Sequence, residues 1–474
     1  MQTLFSVALL LLSAAVATAT NTYPVVLVHG FAGWGRDELL GFKYWGGIQG
    51  DLQAELEAQG YTVYTASIGP FSSNWDRACE LYAQIKGGVT DYGAAHSANH
   101  DHSRYGKNYT GLYPEWGEEN ADGSIKKIHL VGHSMGGQTI RMMAQMLEKG
   151  TTGPPVGTSG STISTPNQGT TLADGFSEIG DTIKDLLVSV INVVGIFGDS
   201  VDLIYDAQLD QWGITAKQDD ETLQEYLDRV FSSSIFDSGF KDVSIWSLSV
   251  AGAKEESTWV ETLSDIYYYS YQGHLQKISY PNILTMLLPL DVLSIFLGSR
   301  YAPDTMGLST DWQPNDGAVN TISMSQDYVG DLVEFDGSSE IGKWNEMTQL
   351  TGLDHGRHAA LPGPRHLRGP HGAALQSAGG LGLLSPPRNG QLDGHRQAEQ
   401  RHLDTEHCDG QHPDPGDLEA LCESPINTYA ENYCATMLNS TLVNDTIATA
   451  NATVEAATNT SINTDVSSTR RLRG

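Results

Sequence analysis

Short apolar runs alternate with helical patterns over residues 22–354. The first run, at residues 25–28, is wholly apolar and ends at a His-Gly pair, as expected of a strand buried on both faces of a parallel sheet. Residues 51–59 then indicate a helix, 61–66 and 125–131 indicate strands, and 138–148 indicate a helix rich in Met. This order of elements predicts an α/β fold around a mostly parallel sheet.

The amino-terminal residues have the pattern of a secretory signal. Residues 4–12 are almost wholly apolar, and small residues with Ala-x-Ala spacing follow between positions 15 and 19. The apolar run is shorter than the ~20 residues of a membrane-spanning helix, and no later run reaches that length. We therefore predict a signal peptide at residues 1–19 and a mature protein that is soluble, secreted and extracellular.

The composition changes abruptly after residue 355. More than half of the fifteen histidines lie between 355 and 412, and no Val, Ile, Phe, Tyr or Trp occurs from 355 to 425. Such a segment cannot build a packed sheet. A histidine-rich metal tract is the alternative, but these histidines lack ligand-like spacing. Because the β-branched apolar and aromatic residues are lost so suddenly, we interpret residues 356–434 as an anomalous segment caused by an error of frame or gene model. Residues 435–474, rich in Thr and Asn, predict a disordered tail.

The net charge of the chain argues against one class of partner, and the number of cysteines argues against one class of fold. The chain has 27 Lys plus Arg against 57 Asp plus Glu, and this net charge of -30 argues against a nucleic-acid partner, whose phosphates require a basic surface. Four cysteines in so long a chain do not make a disulfide scaffold. Five Asn-x-Ser/Thr sequons predict N-glycosylation in a glycosylating eukaryote: Asn108, Asn439, Asn444, Asn451 and Asn459.

The segment Gly132-His133-Ser134-Met135-Gly136 matches the G-x-S-x-G pattern of a nucleophile elbow. It lies between a predicted strand and a predicted helix, where small flanking residues allow a tight turn that lifts a serine hydroxyl above the sheet. The free N–H groups of the helix start point at the same position. An ordinary Gly/Ser turn is the alternative, but the strand and helix on either side favour Ser134 as a nucleophile.

Ester cleavage by a serine also needs oxyanion donors, an acid and a base. In α/β hydrolases the loop after the first strand and the residue after the nucleophile each supply one N–H group, here those of Phe31 and Met135. The acid and the base follow the serine in the order Asp, then His. Asp316 and His355 satisfy this order, as do many other pairs, and Asp316 is equally suited to capping a turn.

Several longer blocks resemble the zinc-containing true lipases of thermophilic bacilli and staphylococci. In chain order they are residues 28–36 (VHGFAGWGR), 40–47 (LGFKYWGG), 72–80 (SSNWDRACE), 91–96 (DYGAAH), 209–213 (LDQWG) and 315–324 (NDGAVNTISM). Chance matching of all these blocks in order is negligible. The resemblance spans residues 23–355 and implies an α/β-hydrolase fold with an inserted zinc-binding subregion and a helical lid, within a lipase domain at residues 20–355.

The resemblance also implies roles for the site residues. By position, Ser134 is the nucleophile, His355 the general base and acid, and Asp316 the residue that orients the histidine during hydrolysis of long-chain acylglycerol esters. One departure lies before Ser164, where residues 157–161 have no apolar content although the family has a strand there.

The family carries a zinc ion held by two Asp and two His. The matching positions are Asp76, His96, His102 and Asp210. Four protein ligands leave no open position, so the site is expected to be structural. The residues alone leave open whether His100 or His102 is the ligand, and whether the histidine-rich loop is simply solvated. Arg357 and Pro362 stand where the family has acidic calcium ligands, which makes calcium doubtful.

Apolar residues also recur at helical spacing over 179–197. A core-packing helix explains this spacing equally well, but the resemblance favours an amphipathic lid that turns toward lipid at an interface. We therefore expect a secreted triacylglycerol lipase that acts on acylglycerols at a lipid–water interface. The alternatives are a phospholipase or carboxylesterase, or a catalytically impaired, zinc-stabilised binding protein. The oligomeric state stays open.

Overall fold

A seven-stranded sheet forms the centre of the computed structural model. The structure describes residues 23–47, 50–150, 159–175, 205–218, 220–237, 239–275, 297–298, 302–351 and 354–359. These residues all belong to the first of two units into which the chain divides, Met1–Pro387. The predicted signal peptide, the predicted lid at 179–197 and everything after residue 359 lie outside the described residues.

The strands in chain order are β1 (Val25–Val28), β2 (Val63–Thr65), β3 (Gly88–Asp91), β4 (Tyr105–Tyr109), β5 (His129–His133), β6 (Ser159–Ile163), β7 (Tyr267–Tyr271), β8 (Gly273–His274), β9 (Leu332–Glu334), β10 (Trp344–Glu346) and β11 (Leu350–Thr351). Seven of them pair in parallel in the order β2-β1-β5-β6-β7-β10-β9. This arrangement confirms the predicted α/β fold with a mostly parallel central sheet.

Strand β1 shows why a continuous apolar run suits the middle of this sheet. All four of its residues are buried. Val26 and Val28 belong to the larger hydrophobic cluster on one face, whereas Val25 and Leu27 belong to the cluster on the other face. Because successive side chains of a strand point to opposite faces, only an unbroken apolar run can supply both layers.

Strand β6 is polar in sequence and still forms in the centre of the sheet. All five of its residues are buried, and it pairs over its full length with β5 and β7. Its side chains find partners inside the protein: Ser159 Oγ lies 2.7 Å from His129 Nδ1, and Thr162 Oγ1 donates to the carbonyl of Tyr269 (3.2 Å). The depleted apolar content before Ser164 is therefore compatible with a strand, because both neighbouring strands satisfy its backbone.

The helices in chain order are α1 (Leu52–Glu57), α2 (Asn74–Lys86), α3 (Ala94–His100), α4 (Met135–Gly150), α5 (Thr171–Asp174), α6 (Leu223–Phe231), α7 (Ser244–Leu248), α8 (Val250–Glu256) and α9 (His355–Ala359). Helix α4 follows β5 directly and packs with α2 over one face of the sheet. Within the described parts of the chain, no helix has the length and apolar character needed to cross a bilayer.

Two short strand pairs form outside the seven-stranded sheet. Strands β3 and β4 are antiparallel and flank α3 with its histidines. Strand β8, just after β7, pairs in parallel with β11, just before α9. The carbonyl of His355 accepts a hydrogen bond from His133, the last residue of β5, so α9 lies at the carboxyl end of the central strands.

Candidate functional site

Ser134 occupies a tight turn between β5 and α4. Its φ is 55°, in the left-handed region that is unfavourable for a residue with a side chain. Its N–H donates to the carbonyl of Ile163 at the end of β6 (2.8 Å). A Cβ at Gly30 would lie 2.6 Å from Ser134 Cβ, and one at Gly136 would collide with the carbonyl of Val28. Glycine at both positions therefore permits the close approach on which this turn depends.

Asp316 and His355 form a buried acid–base pair. His355 Nδ1 lies 2.7 Å from Asp316 Oδ2, and His355 N donates to the carbonyl of Asp316 (2.9 Å). Asp316 Oδ1 accepts the N–H groups of Ala318 and Val319 (3.1 and 2.9 Å). Burial would raise the pKa of Asp316, but the imidazoles of His355 and His358 hold it well below its usual range. The charged carboxylate fixes a proton on Nδ1 of His355, which leaves Nε2 with the lone pair.

Helix α9 brings this pair beside the serine turn. His133, which precedes Ser134, donates from Nε2 to the carbonyl of His355 (3.0 Å), and the two ring centroids are 4.7 Å apart. Ser134 keeps 7% of its surface exposed and His355 keeps 9%. The structure thus gathers the three predicted residues in one place, and we call Ser134, Asp316 and His355 the serine cluster.

The two expected oxyanion donors flank Ser134. Met135 begins α4, so its N–H belongs to the first turn, whose N–H groups have no partner within the helix. Phe31 follows Gly30, where an added Cβ would lie 3.1 Å from Ser134 Oγ. His29 supports this loop: burial and the charge of a nearby arginine lower its pKa to about 3, and the neutral ring donates from Nδ1 to the carbonyl of Gly30 (2.9 Å).

A second histidine, His358, faces the same carboxylate. Its Nδ1 lies 3.4 Å from Asp316 Oδ2 and 2.6 Å from Ser164 Oγ, and Ser164 also has a positive φ, of 51°. A catalytic triad needs the serine and the acid on opposite ring nitrogens, whereas both contacts here use Nδ1. Ser164 is also fully buried. His358 is not among the residues predicted from the sequence, although its spacing of three residues from His355 suits one face of a helix.

Two carboxylates and two imidazoles form a second group, which we call the metal-ligand cluster: Asp76, His96, His102 and Asp242. One ligand atom from each lies within 4.8 Å of the others. His96 Nε2 is 3.1 Å from Asp76 Oδ1 and 3.2 Å from Asp242 Oδ1, and His102 Nε2 is 3.3 Å from Asp242 Oδ2. Helix α2 supplies Asp76, and the segment between β3 and β4 supplies both histidines.

The donor atoms of the metal-ligand cluster fit a divalent cation such as zinc. His102 Nδ1 lies 2.8 Å from the carbonyl of Ser103, to which it donates, so the lone pair of Nε2 faces the cluster. That nitrogen and both carboxylate oxygens of Asp242 are buried without a hydrogen bond of acceptable geometry. Buried polar atoms of this kind require a partner, and four nitrogen and oxygen ligands match the coordination of zinc.

The carboxylates of this cluster also change the titration of its histidines. Burial lowers the pKa of His96, but the adjacent carboxylates of Asp242 and Asp76 outweigh burial and raise the pKa to about 9. Burial alone would raise the pKa of Asp242, but the imidazoles of His102 and His96 outweigh burial and hold that pKa below the usual range. Trp75 stacks on His96 with ring centroids 4.8 Å apart. A divalent cation must therefore compete with bound protons for these ligands.

Asp242 stands where we expected Asp210, so the predicted ligand set is corrected at this position. Asp210 has a side chain that is 46% exposed, and its carboxylate lies 3.6 Å from Lys107 Nζ. This partly solvated carboxylate faces a lysine and lies outside the cluster. Its neighbour Gln211 points inward instead and donates to Asp76 Oδ2 (3.0 Å).

His100 is the other histidine that the sequence left open. Its ring lies 4.6 Å from that of His96, but its nitrogens are not part of the metal-ligand cluster. The structure therefore groups His102, rather than His100, with His96. No local motif marks Asp242, which lies two residues before the start of α7 and joins the cluster only through tertiary packing.

The sequence is similar to a lipase-like family profile and to several bacterial lipases. The sequence profile described as "Lipase-like, C-terminal domain" matches residues 21–154 and 155–360. Lipase 2 of Staphylococcus aureus (strain MSSA476) is 34% identical over 366 residues, which cover 71% of this chain and 50% of that protein. The lipase of Staphylococcus hyicus is 33% identical over 360 residues, covering 71% and 53%. The chain thus spans about half the length of these curated relatives.

Solved structures agree with the sequence relatives. Lipase 1 from Pelosinus fermentans superposes with a TM-score of 0.66 at 45% identity, covering 72% of this chain and 95% of that one. EstA from Clostridium botulinum gives 0.63 at 41%, covering 72% and 83%, and Staphylococcus hyicus lipase gives 0.57 at 30%, covering 76% and 96%. The resemblance to staphylococcal lipases is therefore confirmed, and the chain belongs to the lipase family that this "Lipase-like, C-terminal domain" profile describes.

Proposed function

We propose that this chain is a secreted serine ester hydrolase that cleaves long-chain acylglycerols, a triacylglycerol lipase. The observation that carries the proposal is the meeting of a serine in a strained turn with a buried Asp–His pair from the far end of the described chain. The relatives named lipase support ester hydrolysis. The order Ser134, Asp316, His355 along the chain is also that of α/β hydrolases.

In the proposed reaction Ser134 Oγ attacks the ester carbonyl while His355 Nε2 takes its proton. Asp316 holds the proton on Nδ1 and stabilises the imidazolium that forms. The N–H groups of Phe31 and Met135 bind the tetrahedral oxyanion. His355 then returns the proton to the leaving glyceride alcohol, which leaves Ser134 acylated. Water, deprotonated by His355, attacks the acyl-enzyme, and the fatty acid leaves as Ser134 recovers its proton.

The metal-ligand cluster would hold zinc in a structural role. Asp76, His96, His102 and Asp242 would be the four ligands, and a filled coordination shell has no position for substrate or water. When bound, the ion would supply positive charge that joins α2, the segment between β3 and β4, and the chain before α7. The residues of the serine cluster carry every step of ester cleavage.

Secretion and interfacial action belong to the same proposal. Residues 1–19 support secretion, and the apolar pattern at 179–197 supports a lid that opens at a lipid–water interface. Both segments lie outside the described residues. Of the five sequons only Asn108 is described, and its exposed side chain on β4 is compatible with a glycan.

The test compares wild type with Ser134→Ala on emulsified triolein, with released fatty acid titrated at constant pH. We expect Ser134→Ala to lower the rate by about 10⁴-fold or more, because the variant lacks the hydroxyl that forms the acyl-enzyme. Ser164→Ala is the matched control, since Ser164 also has a positive φ and a neighbouring histidine. Its rate should stay within about tenfold of wild type.

Other outcomes separate the alternatives. Equal hydrolysis by wild type and Ser134→Ala would refute the nucleophile. Serine-dependent cleavage of para-nitrophenyl butyrate without cleavage of triolein would favour a carboxylesterase, and cleavage of phosphatidylcholine alone would favour a phospholipase. A folded wild type that cleaves none of these esters would favour the binding protein.

A further inference from the structure

A chain of three hydrogen bonds runs beneath the serine cluster and joins its parts. The N–H of Gly30 donates to Tyr44 Oη (3.0 Å). Tyr44 Oη lies 2.6 Å from His133 Nδ1, and His133 Nε2 lies 3.0 Å from the carbonyl oxygen of His355. The ring of His133 is enclosed by Tyr44, Trp45 and His355, with ring centroids 5.7, 6.2 and 4.7 Å away.

The two ends determine the direction of every bond in this chain. A backbone carbonyl can only accept, so His133 Nε2 must carry the proton that it donates to His355. The neutral ring then has its lone pair on Nδ1, so the hydroxyl of Tyr44 donates to it. That hydroxyl oxygen in turn accepts from Gly30, whose N–H can only donate. Burial lowers the pKa of His133 well below its ordinary value, in agreement with the neutral ring that this pattern requires.

Each end of the chain lies next to a residue with a role in the proposed reaction. Gly30 precedes Phe31, an expected oxyanion donor, and His133 precedes Ser134. The final acceptor belongs to the backbone of His355 itself. Only Tyr44 and His133 contribute side chains, and neither has a role in the chemical steps of the proposed reaction.

We propose that Tyr44 and His133 are positioning residues that hold the oxyanion loop, the serine turn and the histidine helix at their working separations. This inference rests on the proposed function, because it assigns these residues to that same site. Without the Tyr44 hydroxyl the oxyanion loop can shift relative to Ser134, and without the His133 ring α9 can shift as well. Small displacements of reacting groups lower the rate of the chemical step more than they weaken substrate binding.

The test is a double-mutant cycle of Tyr44→Phe, His133→Gln and the double variant, assayed on soluble para-nitrophenyl butyrate. Each single change should lower kcat about tenfold and leave KM within about twofold. The double variant should be no more than about twofold below the worse single variant, because either change already breaks the same connection. Tyr268→Phe is the matched control: its hydroxyl also accepts a backbone N–H, that of Leu263 (3.0 Å), away from the site. It should lose stability and keep kcat.

Several results would overturn the inference. Full kcat in Tyr44→Phe would do so, and this variant is the mildest one, so the inference stays testable if His133→Gln fails to fold. Independent effects that multiply to about 100-fold in the double variant would also contradict a single connection. An equal loss of kcat in Tyr268→Phe would reduce the effect to general destabilisation. If Ser134→Ala abolishes hydrolysis in any of these cases, the proposed function survives; if Ser134→Ala stays active, both fail.

Discussion

The serine cluster and the metal-ligand cluster both bury carboxylates beside imidazoles, but Asp316 and Asp242 differ in their hydrogen bonds. In the serine cluster both oxygens of Asp316 have partners, His355 on one side and two backbone N–H groups on the other. In the metal-ligand cluster both oxygens of Asp242 and Nε2 of His102 are buried without such bonds. The polypeptide alone supplies hydrogen-bond partners for Asp316. In the metal-ligand cluster, the buried oxygens of Asp242 and Nε2 of His102 have lone pairs that could bind a cation.

The comparison shows that burial has different consequences at the two clusters. Hydrogen bonds from the chain keep Asp316 charged in the interior, which suits a residue that must stabilise an imidazolium. Burial and the nearby carboxylate of Asp242 raise the pKa of Asp76. Both carboxylates can therefore be ionised together only if positive charge lies close to them. We therefore expect damage to the serine cluster to reduce the rate of ester cleavage, and damage to the metal-ligand cluster to reduce stability.

The largest expected effect comes from Asp316→Asn. The amide keeps its oxygen for the N–H groups of Ala318 and Val319 and therefore presents an NH₂ group to His355. The charge that orients and stabilises the imidazolium is lost, so kcat should fall on the order of 10⁴-fold while the free energy of unfolding changes by about 1 kcal/mol. Ester hydrolysis and urea unfolding of the same preparation measure both quantities.

His358→Gln sharpens this result as a control, because it removes the other imidazole beside the same carboxylate. Its kcat should stay within about tenfold of wild type. Loss of activity in His358→Gln, with activity retained in a His355→Gln variant, would mean that the two histidines have been assigned to the wrong roles.

The next effect is that of metal removal. A chelator should lower the free energy of unfolding of the zinc-loaded protein by about 3–4 kcal/mol, because the folded state alone holds the complete ligand set. Asp242→Asn should abolish this response to the chelator, whereas Asp210→Asn should respond like wild type and lie within about 0.5 kcal/mol of it. Urea unfolding with and without chelator measures the difference, and a chelator response lost in Asp210→Asn would restore that residue as the ligand.

The smallest expected effect is a pH dependence that belongs to the metal-ligand cluster. The pKa of His96 is raised to about 9, so in the metal-free protein its proton contributes stability that is complete below about pH 6.5 and is lost as the pH rises through about 9. A metal-bound His96 has no proton to lose. Across this interval the stability gained from zinc should therefore grow by about 1–2 kcal/mol. Unfolding curves of the two forms that stay parallel would contradict the assigned proton.

The pattern of apolar residues predicted the helices and strands whose own side chains favour that structure. Helix α4 extends beyond the predicted residues 138–148, and the apolar run at Val25–Val28 is a buried strand. Strand β6 was the exception, because neighbouring strands rather than its own side chains stabilise its position. Burial of such a polar segment depends on contacts that periodicity does not record.

The same distinction applies to the two clusters. Ser134 was recognisable because its turn needs small residues next to it in sequence, and the resemblance carried Asp316 and His355. Asp242 had no comparable signal, since it joins His96 and His102 through folding over a long stretch of chain. Ligands that meet through tertiary packing leave no spacing that a single sequence reveals.

The tight packing around Ser134 limits how the proposed active site could diversify. Because any side chain at Gly30 or Gly136 would enter space already held by Ser134 or Val28, a library randomised at those two positions would return glycine almost alone. New acyl preferences would then have to arise from residues farther out along the substrate path, while the reacting centre is inherited unchanged.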